Sequence, residues 1–392
     1  MMRRPEEELL ELERAGLRRY LRRLESPQQP NIDLAGSGPC RNFSSNDYLG
    51  LANSEELRTI FAENILKYGA GSGASRLVCG TMKQHFSLEE SLAELKRSEA
   101  ALTFSSGFAA ATSVIPALCG KGDVVILDKL CHASLIDGAR LSGAKLRVWP
   151  HNDLEKLRTR IAWANRQVSK NGRILIVTES IFSMDGDRAP LREIIEMKNL
   201  QGALLLLDEA HAFGVFGPQG RGLAAEMGLE SEVDFQMGTF SKAAGLTGGY
   251  VCANRAFIDL LVNRARGFIY STAPSPALAA SIESALEMIA GEDGDRKRDT
   301  LWERIHLLDS DARSAIIPIL MGENETALSA SDTLLEKGFL VPAIRYPTVP
   351  RGSARLRVTL SAAHEEGDVL ALKDALSDLQ AHSEPTPPPH EP

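Results

Sequence analysis

Cysteine is scarce and unpaired in this sequence. Cys40, Cys79, Cys119, Cys131 and Cys252 are odd in number and show none of the short spacings from which disulfide frameworks, zinc knuckles or dithiol redox motifs are built. Histidine offers no metal centre in their place, since His85, His132, His151 and His211 include no pair three or four residues apart. No stretch approaches the roughly 20 consecutive apolar residues of a membrane-spanning helix. Residues 1–24 carry several acids where a secretory signal needs an unbroken apolar region. Basic runs are also missing, and a net charge of -8 gives a polyanion nothing to hold. Neither a glycine-x-serine-x-glycine elbow nor a Walker lysine-serine pair occurs. These absences lead us to expect a cytoplasmic protein with no metal, no membrane contact and no nucleic-acid partner.

What is present is enough apolar material for a large core. With 392 residues, 43% of them hydrophobic, the chain is expected to divide into two domains. Leu9, Leu10, Leu12, Leu17, Leu21 and Leu24 recur at helical spacing, which predicts an amphipathic helix over 6–24 with Arg18, Arg19, Arg22 and Arg23 on its solvated face. Between Val124 and Val251 short apolar runs alternate with helical stretches: 124–127, 145–148, 174–177, 203–207, 233–237 and 250–251. Runs without a period of two predict strands covered on both faces of a mainly parallel sheet. Asp128, Glu179, Asp208 and Ser241 follow at or just past the ends of four of them, where an open α/β sheet binds its ligands. Past 289 the charge density rises, and three further strand-like runs (316–320, 339–344, 355–360) predict a smaller α+β domain. The expected division is an N-terminal helix and arm over 1–45, a large domain over 46–288, a small domain over 289–381, and a proline-rich disordered tail over 382–392.

Three constellations carry chemistry. Gly69, Gly71 and Gly73 with Ser72, Ser75 and Arg76 make a turn whose backbone can approach a ligand closely. Ser105-Ser106-Gly107-Phe108 enters an apolar helix, and free first-turn N–H groups there suit either a simple N-cap or a phosphate. In the third, Asp208-Glu209-Ala210-His211 precedes Thr239-Phe240-Ser241-Lys242. An aspartate at the end of a buried strand is costly unless a cation or hydrogen-bond donors meet it, and a protonated pyridine nitrogen is such a cation. Lys242, among small residues on a strand-end loop, can supply the amine for a carbonyl cofactor. Each feature alone also has a structural reading as a cap, a loop or a core polar group. His132, within Asp128-Lys129-Leu130-Cys131-His132, is open to both.

Together these residues resemble the alpha-oxoamine synthases of the fold-type-I pyridoxal-phosphate enzymes. The resemblance runs from about Asn42 to His364 and rests on five ordered blocks: 42–51 (NFSSNDYLGL), 71–76 (GSGASR), 178–187 (TESIFSMDGD), 208–211 (DEAH) and 238–242 (GTFSK). It implies an aspartate-aminotransferase-like α/β fold and pyridoxal 5'-phosphate as cofactor. Lys242 then carries the cofactor, Asp208 partners its pyridine nitrogen, His132 stacks on its ring, and His211 with Ser183 lies near its ring hydroxyl. Gly107, Phe108, Thr239 and Ser241 correspond to phosphate contacts, and Thr272 to a contact from the second subunit of a homodimer. Arg357 and Asn46 are similar to the residues that take the amino-acid carboxylate, with Ser75, His85 and Glu179 in support. One of Arg19, Arg22 or Arg23 corresponds to the arginine offered to the acyl substrate.

Within the family, the wording of 238–242 and 268–272 is closest to the member that serves biotin biosynthesis. That implies decarboxylative condensation of L-alanine with pimeloyl-CoA or pimeloyl carrier protein. Glycine C-acetyltransferase or another member with a different amino acid or acyl thioester is the alternative, and a non-catalytic scaffold of the same fold is a third. One departure stands out, because the family usually has a longer stretch between Trp302-Glu303-Arg304-Ile305 and Ser314-Ala315-Ile316-Ile317. The missing residues predict a trimmed small domain or a turn around Asp309–Asp311 in place of its first strand.

Overall fold

A computed structural model describes residues 4–381, so the expected tail over 382–392 lies outside the described residues. The chain divides into two compact units. One comprises residues 46–183 and 187–300, and the other, among the described residues, 4–45, 184–186 and 301–381.

In the second unit a helix spans Pro5–Arg14, and the hairpin β1 (Asn31–Leu34) and β2 (Gly38–Asn42) follows. The helix predicted over 6–24 is therefore cut short. Gly16 adopts φ 63°, a left-handed conformation that glycine takes without a Cβ penalty, and its N–H closes the last turn on the Glu13 carbonyl. Residues 17–23 form no helix, and Arg19, Arg22 and Arg23 are exposed beyond its end.

The first unit is built on seven strands: β3 (Ala100–Phe104), β4 (Val124–Asp128), β5 (Lys145–Trp149), β6 (Ile174–Glu179), β7 (Leu204–Asp208), β8 (Phe235–Thr239) and β9 (Gly249–Ala253). Their order is β3-β9-β8-β7-β6-β4-β5. Strands β4 to β8 pair in parallel, and β9 runs antiparallel to both of its neighbours. The unbroken apolar runs follow from burial on two faces. Val125 and Leu127 of β4, Leu175 and Val177 of β6, and Leu206 of β7 share a core with Val114, Ile115 and Leu118 of the helix Gly107–Leu118. The alternating residues Val124, Ile126, Ile174, Ile176, Leu205 and Leu207 share another with Leu157, Ile161, Leu191 and Ile194 of the helices Leu154–Gln167 and Leu191–Gln201. Strand β5 departs from the expectation of cover on both faces. It lies at the sheet edge, and Lys145, Arg147 and Val148 are exposed, which suits an edge whose charges discourage further pairing.

Two more sheets belong to the second unit. β10 (Ile316–Gly322), β13 (Ala354–Thr359) and β12 (Ala343–Ile344) form an antiparallel sheet, while β11 (Phe339–Leu340) pairs in parallel with β2. The apolar run 339–344 is thus split between two sheets across Val341 and Pro342. The β2–β11 ladder also explains why residues up to 45 group with the C-terminal residues and do not form an arm of their own. The large unit extends to 300, past the expected 288. Arg298, buried, donates to the Ile289 carbonyl and so ties the start of the helix Glu292–Leu308 to the preceding one. After Leu308 the chain turns at Asp309, whose carboxylate accepts from the Asp311 N–H, and enters β10.

Candidate functional site

Because β4, β6, β7 and β8 are parallel, their carboxyl ends share one edge of the sheet, and the loops beyond them converge there. The register of β6 on β7 sets Glu179 beside Asp208. A cavity of about 290 Å³ opens at this edge, near the lower end of the range for small-molecule sites. Gly107, Phe108, His132, Glu179, Asp208, His211, Thr239, Ser241 and Lys242 all line it, joined by Ser106, Ser134, Ala210, Met237 and Gly238.

Two buried carboxyls dominate its electrostatics. Burial pushes the Asp208 carboxyl above the usual aspartate range, opposed by the attraction of Lys242 and by a 2.9 Å hydrogen bond from the Ala210 N–H. Glu179 is raised to about 8, chiefly by burial and then by the neighbouring charge of Asp208. Its carboxyl accepts from the backbone N–H groups of His132 and Ser183. The small residues of its own loop are therefore not the whole setting of Lys242, since two acids from neighbouring strands also act on it.

The N-terminus of the helix Gly107–Leu118 lines the same cavity. Ser106 caps it by accepting from the Ala109 N–H at 3.0 Å, so the cap reading holds alongside the ligand reading. The N–H groups at the start of an α-helix have no intrahelical acceptor and favour an anion. Gly249 permits this arrangement, because a Cβ there would lie 2.5 Å from the Gly107 nitrogen and 2.4 Å from the Ser106 carbonyl oxygen. The Thr239 and Ser241 hydroxyls are 2.8 Å apart beside this end.

His132 caps the helix Ala133–Leu141, its Nδ1 accepting from the Ser134 N–H at 3.3 Å and lying 2.8 Å from the Ser134 hydroxyl. Burial pushes its pKa below the usual histidine value. The neutral ring with an accepting Nδ1 carries its proton on Nε2. The approach to His132 is braced by His151, whose ring nitrogens meet Asp128 at 3.0 Å and Asp187 at 2.8 Å. Burial works against charge on His151, yet the two aspartates outweigh it and raise its pKa to about 10. A folded pKa above the ordinary 6.5 gives stability that is complete below pH 6.5 and lost as pH rises toward about 10. Replacing His151 with Gln should therefore lower the thermal midpoint most below pH 6.5. Midpoints measured across that range should converge near pH 10, and a constant difference would refute the charged brace.

Other predicted residues do not line the cavity. Thr272 forms an isolated antiparallel bridge with Ser75 of the same chain. The Ser183 N–H donates to the Glu179 carboxyl behind the lining. His85 is buried against the Pro274 carbonyl at 2.9 Å. Asn46 accepts from the Tyr48 hydroxyl at 3.4 Å. In the second unit Arg357 is buried in β13 and donates to the Thr359 hydroxyl at 2.8 Å. Arg19 donates to Thr348, and Arg23 pairs with Glu25. Sequence reading gives no role to Ser134 or Tyr48, since both are ordinary hydroxyl residues until the fold sets them against histidines.

Comparison with known proteins follows the same lines. The model of the aminotransferase class I and II family matches residues 39–376. An 8-amino-7-oxononanoate synthase of Geobacter sulfurreducens is 44% identical over 372 residues, covering 92% of this chain and 94% of its own. A serine palmitoyltransferase from S. paucimobilis, solved with a bound PLP adduct of myriocin, superposes with a TM-score of 0.89 at 28% identity over 96% of each chain. An 8-amino-7-oxononanoate synthase from Francisella tularensis superposes with a TM-score of 0.74 at 28% identity over 88% of this chain and 98% of that one. No described helix is long and apolar enough to cross a membrane. With its type I fold, and with homology that spans nearly the whole chain, this protein belongs to the alpha-oxoamine synthase family of pyridoxal-phosphate-dependent transferases.

Proposed function

We propose that this chain binds pyridoxal 5'-phosphate in the cavity and condenses L-alanine with pimeloyl-CoA or pimeloyl carrier protein, with loss of carbon dioxide, to give 8-amino-7-oxononanoate. The observation that carries the reading is the convergence of Lys242 and Asp208 on one cavity. The residues fit the cofactor. Asp208 is a buried carboxyl raised by its burial, which a protonated ring nitrogen would relieve. Gly107 and Phe108 offer N–H groups to a phosphate at the other end, with Thr239 and Ser241 beside them. When bound, the cofactor supplies an electron sink for negative charge at the amino-acid α carbon.

The chain's own groups do the rest. Lys242 would hold the cofactor through its amine, and that amine would take the α proton of the amino acid. Asp208 would keep the ring nitrogen protonated, His132 would pack on the ring, and His211 with Ser183 would meet the ring oxygen. Arg357, with Asn46 and Ser75, grips the amino-acid carboxylate and fixes which bond breaks. Arg19, Arg22 or Arg23 meets the acyl group. Thr272 of the partner subunit completes the phosphate site in a homodimer. Exposed apolar side chains support a second copy: Phe108 on the cavity wall is 50% exposed and Tyr270 71%. Free cysteines throughout the described residues accord with a cytoplasmic setting.

A second reading, another amino acid with another acyl thioester, draws on the higher TM-score against the serine palmitoyltransferase. The test is a panel of thioesters (acetyl, succinyl, pimeloyl and palmitoyl) offered to the PLP-loaded chain with alanine, glycine or serine. We expect thiol release to be greatest with alanine and a pimeloyl thioester. No release with that pair, on either carrier, overturns the assignment, and a colourless protein that releases no thiol at all would mark a scaffold.

A further inference from the structure

We propose that Lys96 is a positioning residue for Asp208: its buried ammonium cancels the charge of Glu209, so that the neighbouring cavity carboxyl stays ionised to meet a cationic ring nitrogen. This deepens the reading above and rests on it for what Asp208 holds. As alternation at a strand end predicts, Asp208 lines the cavity while Glu209 does not. Glu209 is completely buried, and its carboxyl accepts from Lys96 Nζ at 2.6 Å and from the Ala224 N–H at 3.0 Å. The backbone of Gly222, at φ 117°, packs onto the same carboxyl, since a Cβ there would fall 2.4 Å from one of its oxygens. Lys96 is 2% exposed, sits at the C-terminal cap of the helix Lys83–Leu95 and gives a second hydrogen bond to the Arg221 carbonyl. Its own carbonyl accepts from Gln236 of β8 at 3.3 Å.

A buried ion pair adds little stability over apolar residues of the same shape, so stability alone does not explain a charge pair one residue from Asp208. Electrostatics does. Burial, and after it the charge of Glu209, push the Asp208 carboxyl toward its neutral form even with Lys96 in place. Without Lys96 the push from Glu209 would grow, and a neutral carboxyl cannot hold a pyridinium. Lys242 and His132 also act on Asp208, and Glu179 stands beside it in register. Tyr250 and Cys131 sense its charge too, but burial holds both in their neutral forms, well above their usual pKa. Arg221, next to Lys96, is taken by Glu230 at 2.9 Å. Lys96 is the cation that meets Glu209.

Carbon-13 NMR of the full-length chain labelled in its aspartate carboxyls follows the Asp208 titration without PLP, the signal being assigned by its loss in Asp208→Asn. Fluorescence titration with PLP at a series of pH values gives a second readout, the midpoint at which affinity falls on the acid side. We expect Lys96→Met to move both midpoints up by about one pH unit, and Glu209→Gln, which leaves Lys96 charged, to move both down. The double variant Lys96→Met/Glu209→Gln keeps an acceptor for the Ala224 N–H and should return both midpoints to the wild-type values. Opposite shifts that cancel mark a role of charge, which a packing role would not produce. Shifts in one direction, no shift, or a double variant displaced from the wild type overturn the proposal. Should Lys96→Met alone fail to fold, the other two variants still decide, because Glu209→Gln must shift downward and the double variant must not shift. A wild-type chain that binds no PLP would strike the cofactor reading instead, while the Asp208 titration in the PLP-free chain still tests Lys96.

Discussion

Lys242→Ala and Lys242→Arg should each lower turnover at least about a thousandfold, the scale of losing a positioned proton-transfer group together with a covalent anchor. The pair of substitutions separates two roles. Arginine keeps a positive charge facing Asp208 and Glu179, both of which feel Lys242 in the folded chain, but it cannot serve as the amine. If charge were the contribution of Lys242, Lys242→Arg would retain most activity. Borohydride reduction of the PLP-loaded protein followed by peptide mapping gives a second readout. The pyridoxyl label should sit on Lys242 in the wild type and be absent from both variants. A label elsewhere, or a Lys242→Ala protein with ordinary thiol release, removes Lys242 from the mechanism.

Asp208→Asn should have effects of opposite sign on two quantities. The buried carboxyl is destabilised by its burial and by the adjacent Glu209, and it in turn raises Glu179. Asparagine removes that burden, so the cofactor-free protein should melt at a higher temperature than the wild type. Binding of PLP should weaken, and turnover fall, by about 10² to 10³, because removal of one partner of a buried charge pair costs about 3–5 kcal/mol. Denaturation scans without PLP and fluorescence titration with PLP measure the two effects. A lower melting temperature together with unchanged PLP affinity would show that Asp208 serves the fold and not the ligand.

Much of this site is legible in the residue order, for a physical reason. A strand covered on both faces must be apolar along most of its length, so the first charged residue after such a run marks the sheet edge. Asp128, Glu179 and Asp208 stand at that mark in the sequence and at the strand ends in the fold. Helix 107–118 is likewise announced by the small residues before it. The amphipathic spacing over 6–24 misled, because the spacing of leucines is indifferent to whether the backbone continues helical through Gly16. The run 339–344 misled in the same way, since nothing in an apolar hexamer tells which of two sheets its halves will join.

The sequence alone marked the mainly parallel sheet, the helix start suited to a cap or an anion, an acid at a strand end and an amine on a strand-end loop, because apolar runs and glycine turns act locally. Only the tertiary structure decided which hydroxyls face which histidines, that Glu179 and Asp208 share a register, and that Thr272 lies outside the cavity of its own chain. Those relations depend on contacts between residues up to about 200 positions apart, such as Ser75 and Thr272. They are created by strand register and close packing, which no local pattern encodes.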